Sequence, residues 1–134
     1  MKVSDLSGRD LDYWVARAEG YEFIDIPPDA RGENACRVLA PPGILKSGWQ
    51  PAPLGKYGHM LKPWSSSWEH GGPIIERKRI VIDLGLDDWF ASIKRLGVFY
   101  YDEGEFGQHG VTPLIAAMRA YVTSKFGDEV EEPK

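Results

Sequence analysis

Residues 112 to 126, TPLIAAMRAYVTSKF, constrain the fold more than any other stretch of this chain. The Thr112 hydroxyl can accept a bond from a free first-turn amide, and Pro113 lacks the donor that would go unpaired there, so a helix start is well specified. Leu114, Ile115, Met118, Tyr121, Val122 and Phe126 then spread over ~140° of the helical wheel. A face that broad must be covered by the rest of the chain, which makes this helix the principal scaffold. Ala116, Ala120 and Ser124 add a second stripe of small residues at four-residue spacing. The plain reading of that stripe is helix propensity, and the sharper one is close approach by a sheet or by a second copy in a homodimer.

Other elements follow from local pattern. Ser7 to Gly20 reads as a first helix, with Ser7 as cap, Leu11, Trp14, Val15 and Ala18 in one apolar stripe and Gly20 as its stop. Tyr21 to Ile26 and Cys36 to Ala40 read as short strands, the first ended by Pro27-Pro28. Arg79 to Leu84, RIVIDL, is the best strand, with Ile80, Ile82 and Leu84 on one face. Leu86 to Gly97 carries a helix signature: Asp87 as cap, Trp89, Phe90, Ile93 and Leu96 in register, and Gly97 as the stop. Val98 to Tyr101 reads as a further strand.

Between Pro41 and Pro73 the pattern breaks, since this stretch holds six of the ten prolines and six of the fifteen glycines. Its aromatics, Trp49, Tyr57, Trp64 and Trp68, are too many for a solvated linker, so it reads as a long ordered loop with a short strand near His59 to Leu61. The expected fold is therefore α+β: a small mixed or antiparallel sheet of about four strands packed with three helices, plus this Pro/Gly/Trp-rich loop. Residues 1–127 form one expected domain, and 128–134 an acidic flexible tail.

Charge and cysteine usage remove several function classes. The net charge of −4 falls mostly on the tail, so the basic excess typical of phosphate-backbone binding is absent. Nucleic-acid contact would depend on the small clusters Arg77, Lys78, Arg79 and Lys94, Arg95. Cys36 is the single cysteine, which excludes an internal disulfide or a CxxC metal site. No stretch approaches the ~20 apolar residues of a membrane span, and the start lacks a secretory signal, so the expected compartment is the cytoplasm.

Two places could hold a site. The helix entrance, Phe106 to Gly110 leading to Thr112, combines flexible backbone, first-turn amides that favour an anion, and His109. The other is Trp68 to Arg77, where His70, Glu76 and Arg77 surround Gly71-Gly72-Pro73, read as a turn feeding a strand. A phosphate or nucleotide ligand would draw on His70, Glu76, Arg77, His109, Gly110 and Thr112 if folding brought them together. Plain capping and ordinary surface charge account for the same residues. His59, His70 and His109 lack metal-ligand spacing, so no metal, cofactor or catalytic residue is expected. Trp49, Trp64 and Trp68 are the candidate recognition surface for a bacterial or phage protein.

Three segments together, KVSDLSGRDLDYWVARAEG, SWEHGGPIIERKRI and GVTPLIAAMRAYVTSKFGDEVE, resemble the NinX-like proteins of tailed phages and prophages, a family of unknown function. The stretches from about Pro28 to Pro63 and Leu84 to Glu105 do not carry the resemblance. It implies a bacterial or prophage origin and a non-essential accessory role among phage early genes of recombination and transcription control. It brings no catalytic residue with it, and favours a non-enzymatic module acting through protein contacts.

Overall fold

The computed structural model describes residues 1–26, 28, 30–33, 36–42, 61–93 and 105–132. Helix α1 (Gly8–Ala18) buries Leu11 and Val15, as the apolar stripe requires, and Gly20 follows with φ at 94°. Ser7 makes no side-chain cap bond, and its carbonyl instead accepts the Leu11 amide at 3.3 Å. Strands β1 (Glu22–Ile26) and β2 (Cys36–Ala40) pair antiparallel as a sheet of their own, Glu22 opposite Ala40.

Helix α2 (Trp68–Lys78) stands where the end of the long loop and the Gly-Gly-Pro turn were expected. Packing is the reason. A Cβ on Gly71 would lie 2.5 Å from both Leu114 Cδ1 and the Trp64 carbonyl oxygen, so glycine serves close approach here. Pro73 sits inside the helix and forfeits one backbone bond, a loss opposed by the burial of Ile74 one residue on. Residues 43–60, including Trp49, Tyr57 and His59, lie outside the described residues.

Arg79, in the left-handed region at φ 52°, ends α2 and turns the chain into strand β3 (Ile80–Leu84). The expected helix from Leu86 to Gly97 is instead strand β4 (Trp89–Ile93), joined to β3 by a tight turn in which the Gly85 amide donates to the Asp88 carbonyl at 2.9 Å. Trp89 and Ile93, four apart, share a face in a helix and in a strand alike, so the apolar spacing fitted both. Pairing decides: Ile80, Ile82 and Leu84 stand opposite Ile93, Ala91 and Trp89. Asp87 and Asp88, which resembled a helix cap, are turn residues. Lys94 to Tyr101, with the strand expected at Val98, lie outside the described residues.

Strand β5 (Glu105–Gly110) occupies the glycine-rich approach that sequence alone did not mark as a strand. It completes an antiparallel sheet of order β3-β4-β5, with a bulge between Ala91 and Ile93. The described residues thus hold five strands in two sheets and three α-helices, an α+β fold.

Helix α3 (Pro113–Phe126) packs across all three strands of the larger sheet, and against α1 and α2 as well. Its start is as expected, with the Thr112 hydroxyl accepting the Ile115 amide at 3.1 Å. The small-residue stripe is spent inside the protomer: Ala116 and Ala120 are fully buried, and Gly110 lies hard against the Ala116 backbone. That removes the proposed homodimer face at Ala116, Ala120 and Ser124. A buried bond from Gln108 Nε2 to Thr123 Oγ1, 3.0 Å long, joins β5 to the helix.

The two ends of the chain clasp. Lys2 bridges to Glu129, and the Val3 amide donates to the Asp128 carbonyl at 2.8 Å. Val130 is buried, and Trp14 Nε1 donates to the Glu131 carbonyl. The acidic segment read as flexible is therefore paired as far as Glu131.

Candidate functional site

The entrance of α3 meets one end of the larger sheet, and the residues there are held by a small set of long-range bonds. His109, on the outward face of β5, places Nδ1 3.1 Å from Asp88 Oδ1, and its ring lies 5.0 Å from that of Phe90. Arg119 reaches from α3 to donate Nη1 to the His109 carbonyl at 2.7 Å and Nε to the Leu6 carbonyl at 2.9 Å. Burial lowers the Arg119 pKa from its ordinary value, an effect opposed by the charge of Asp5. That guanidinium ties β5, α3 and the N-terminal turn together. Ser65, Ser66, Trp68, Thr112, Leu114 and Ile115 line a cleft of about 230 Å³ between the starts of α2 and α3.

Large apolar side chains gather at the same end. Leu84 is 73% exposed, Leu86 fully exposed, Val111 79% and Trp68 53%. The register places them together: Leu84 stands opposite Trp89 and Trp89 opposite Gly110, so the β3–β4 turn and the β5–α3 junction share one rim. Trp68 joins it through the cleft it shares with Thr112. Of the three tryptophans proposed for recognition, Trp68 is on this surface. Trp64 is 4% exposed and packs edge-on against Tyr21 at 5.5 Å, which makes it core. Trp49 is outside the described residues.

The six residues considered for a small ligand do not assemble. His109, Gly110 and Thr112 are neighbours at the rim, but the histidine is engaged by Asp88 and the threonine by its own cap. Arg77 points elsewhere, donating Nη2 to Glu19 Oε2 at 2.6 Å. His70 and Glu76, six positions apart on α2, are separated by ~9 Å along the axis and about 120° around it. Among the described residues no three His, Cys, Asp or Glu side chains are grouped to hold a metal.

Sequence reading missed the polar ties that organise the molecule. Tyr121 Oη donates to Glu19 Oε2 at 2.6 Å, and burial followed by that carboxylate pushes the phenol pKa well above its ordinary value. Asp12 is buried and accepts the Ser65 amide at 2.8 Å; burial raises its carboxyl pKa against the opposing pull of that bond. The partners are 53 and 102 residues apart, and no spacing signals them.

A family model described as Bacteriophage P22, NinX matches residues 2–125. The match also spans Pro28 to Pro63 and Leu84 to Glu105, which the three segments first compared leave out. No curated protein matches the chain. No described helix is long and apolar enough to cross a membrane.

Proposed function

The chain belongs to the bacteriophage P22 NinX family, and from that premise we propose that it is a non-enzymatic accessory module working in the cytoplasm by contact with another protein. The observation that carries this reading is the rim of Trp68, Leu84, Leu86 and Val111, four large apolar side chains exposed at one end of the fold. Large apolar side chains exposed together mark interaction sites, whereas isolated surface leucines need no explanation. The rim is also fixed in shape, because Arg119 and the Asp88–His109 contact hold the strand end on which it stands. A preset surface loses less entropy on binding.

The small-ligand alternative draws less support, since Arg77, His109 and Thr112 already have partners within the chain. Nucleic-acid binding draws less still: Arg77 is paired with Glu19, and Lys78 lies over the Tyr121 ring. The test is affinity capture from phage-infected or lysogenic cells with two baits, the native chain and a Leu84→Ser, Leu86→Ser, Val111→Ser variant. A protein enriched on the native bait and lost from the variant is the expected result. Equal recovery on both baits would refute the rim as the contact surface.

A further inference from the structure

From the end of β3 to the start of β4 the chain reads Asp83-Leu84-Gly85-Leu86-Asp87-Asp88, so the two exposed leucines of the rim are bracketed by carboxylates. Local bonds place two of these charges. Asp83 Oδ1 accepts the Leu84 amide at 2.8 Å, which holds that carboxylate beside the leucine's backbone. Asp88 Oδ1 lies 3.1 Å from His109 Nδ1, which sets the second against β5 just before Val111. Asp87 follows Leu86 directly and is exposed. The neighbouring cations do not cancel them. Arg119 turns its guanidinium to the His109 and Leu6 carbonyls, and Arg79 precedes β3 at its other end, about 16 Å from Leu84 by strand rise. A protonated His109 offsets its own partner Asp88, which leaves Asp83 and Asp87 in excess.

Whatever covers Leu84 and Leu86 must come up against these carboxylates. Apolar area alone accepts many partners, whereas charge set around it selects among them, favouring the opposite sign and opposing the same one. We infer that the rim takes a protein segment that is both apolar and basic, with aliphatic or aromatic side chains over Leu84, Leu86 and Val111 and lysine or arginine at Asp83 and Asp87. Arginine fits better, because its planar fork holds a carboxylate at two points while its stem covers apolar surface. The same carboxylates repel a phosphate backbone or an anionic lipid surface, so neither is the occupant. The Leu84 amide is already bonded to Asp83, so side chains and not an added strand make the contact at this end of β3.

The inference rests on the reading of the rim as a contact surface, and the experiment keeps the two apart. A library of random peptides is selected on the native chain, and the enriched peptides are titrated by fluorescence polarisation against variants. One variant is Leu84→Ser with Leu86→Ser and Val111→Ser, another Asp83→Lys with Asp87→Lys, and a third Asp87→Lys alone. The expected peptides combine apolar residues with lysine or arginine and lose binding on the serine variant. On the double charge variant they bind roughly tenfold more weakly, because reversal replaces a modest attraction by repulsion at both positions. Asp87→Lys alone leaves the Asp83 bond to Leu84 intact and gives a smaller loss in the same direction, so it decides the matter if circular dichroism shows the double variant misfolded. Peptides that bind the serine variant unimpaired overturn the rim reading itself, and this inference with it. Peptides that need the leucines but are acidic or uncharged, or that bind the charge variants as tightly as the native chain, overturn the inference alone. So does a selection that enriches nothing.

Discussion

Replacing Gly110 with alanine tests the packing on which the α3 entrance depends. A Cβ there would lie 2.5 Å from the Ala116 amide nitrogen and 3.0 Å from its Cα. Ordinary contact is ~3.5–4 Å, so the new methyl is about 1 Å too close. Both obstructing atoms are backbone, and no rotamer change clears them. Strand β5 and helix α3 must therefore separate. Overpacking of this kind costs ~1–3 kcal/mol, and with backbone on the far side the upper part of that range applies. Alanine returns ~0.5–1 kcal/mol over glycine within a strand. The net loss is about 2 kcal/mol, or roughly 8 °C in Tm for a chain of this length. Urea unfolding followed by tryptophan fluorescence, with thermal circular dichroism beside it, reads both quantities. A second substitution sharpens the test: Ala116→Gly removes a methyl but leaves the obstructing nitrogen and Cα in place, so it does not rescue Gly110→Ala. A neutral Gly110→Ala, or rescue by Ala116→Gly, would refute the argument.

Three further outcomes follow from the described contacts. Gly71→Ala gains ~1 kcal/mol of helix propensity but meets the Trp64 carbonyl, for a net loss of about 1 kcal/mol by urea unfolding; a stabilised variant would mean that α2 and α3 are not so closely packed. At Asp12, the buried ionised carboxylate is a cost at neutral pH because its pKa is raised. Asp12→Asn keeps an acceptor for the Ser65 amide and is expected to be at least as stable as the native chain. That advantage fades as pH falls through the raised pKa and the native carboxyl takes up its proton. Asp12→Ala orphans the amide and costs ~1–3 kcal/mol at any of these pH values. At the alkaline end, Tyr13, Tyr21 and Tyr121 all have phenols pushed up by burial, Tyr121 furthest. Unfolded tyrosine ionises near pH ~10, so stability is full below that and declines above it. Tyr121→Phe removes its share and makes the decline shallower in pH-dependent unfolding, while costing about 1–2 kcal/mol at neutral pH through the lost bond to Glu19. An unchanged alkaline slope would contradict the assignment.

What could be read from residues alone divides along a physical line. Helices α1 and α3 were legible because each has a stop or start signal and an apolar face whose period only a helix satisfies. Strand β3 was legible because β-branched alternation is local. The segment around Trp89 was not, since apolar positions four apart suit either period and the partner strand made the choice. Strand β5 was hidden by its glycines: Gly107 sits beneath the Phe90 ring and Gly110 beneath Ala116, so the small residues answer bulk supplied from elsewhere in the chain. The same reason hid α2, whose Gly71 matches Leu114 across two helices. At the candidate site, the helix entrance at Thr112 was legible from its local cap signal. Asp88, Arg119 and the exposed leucines became partners of that entrance only through strand register, which no local pattern contains.

The clasp between Lys2 and Glu129 gives the fold a property apart from its stability. With Lys2 and Val3 beside Asp128 and Glu129, the path between them is nearly a ring, and a break elsewhere in it need not disturb the packing. Joining the ends by a short linker and reopening the ring elsewhere would exchange one closure entropy for another, and that term grows only as ~(3/2)RT ln n. The turn at Gly85 is a natural place to reopen it, because the rim residues there stand on an exposed connection. Such a rearranged chain would keep α3 at its centre while presenting Leu84 and Leu86 on free ends. The exposed rim could then be varied without rebuilding the core beneath it.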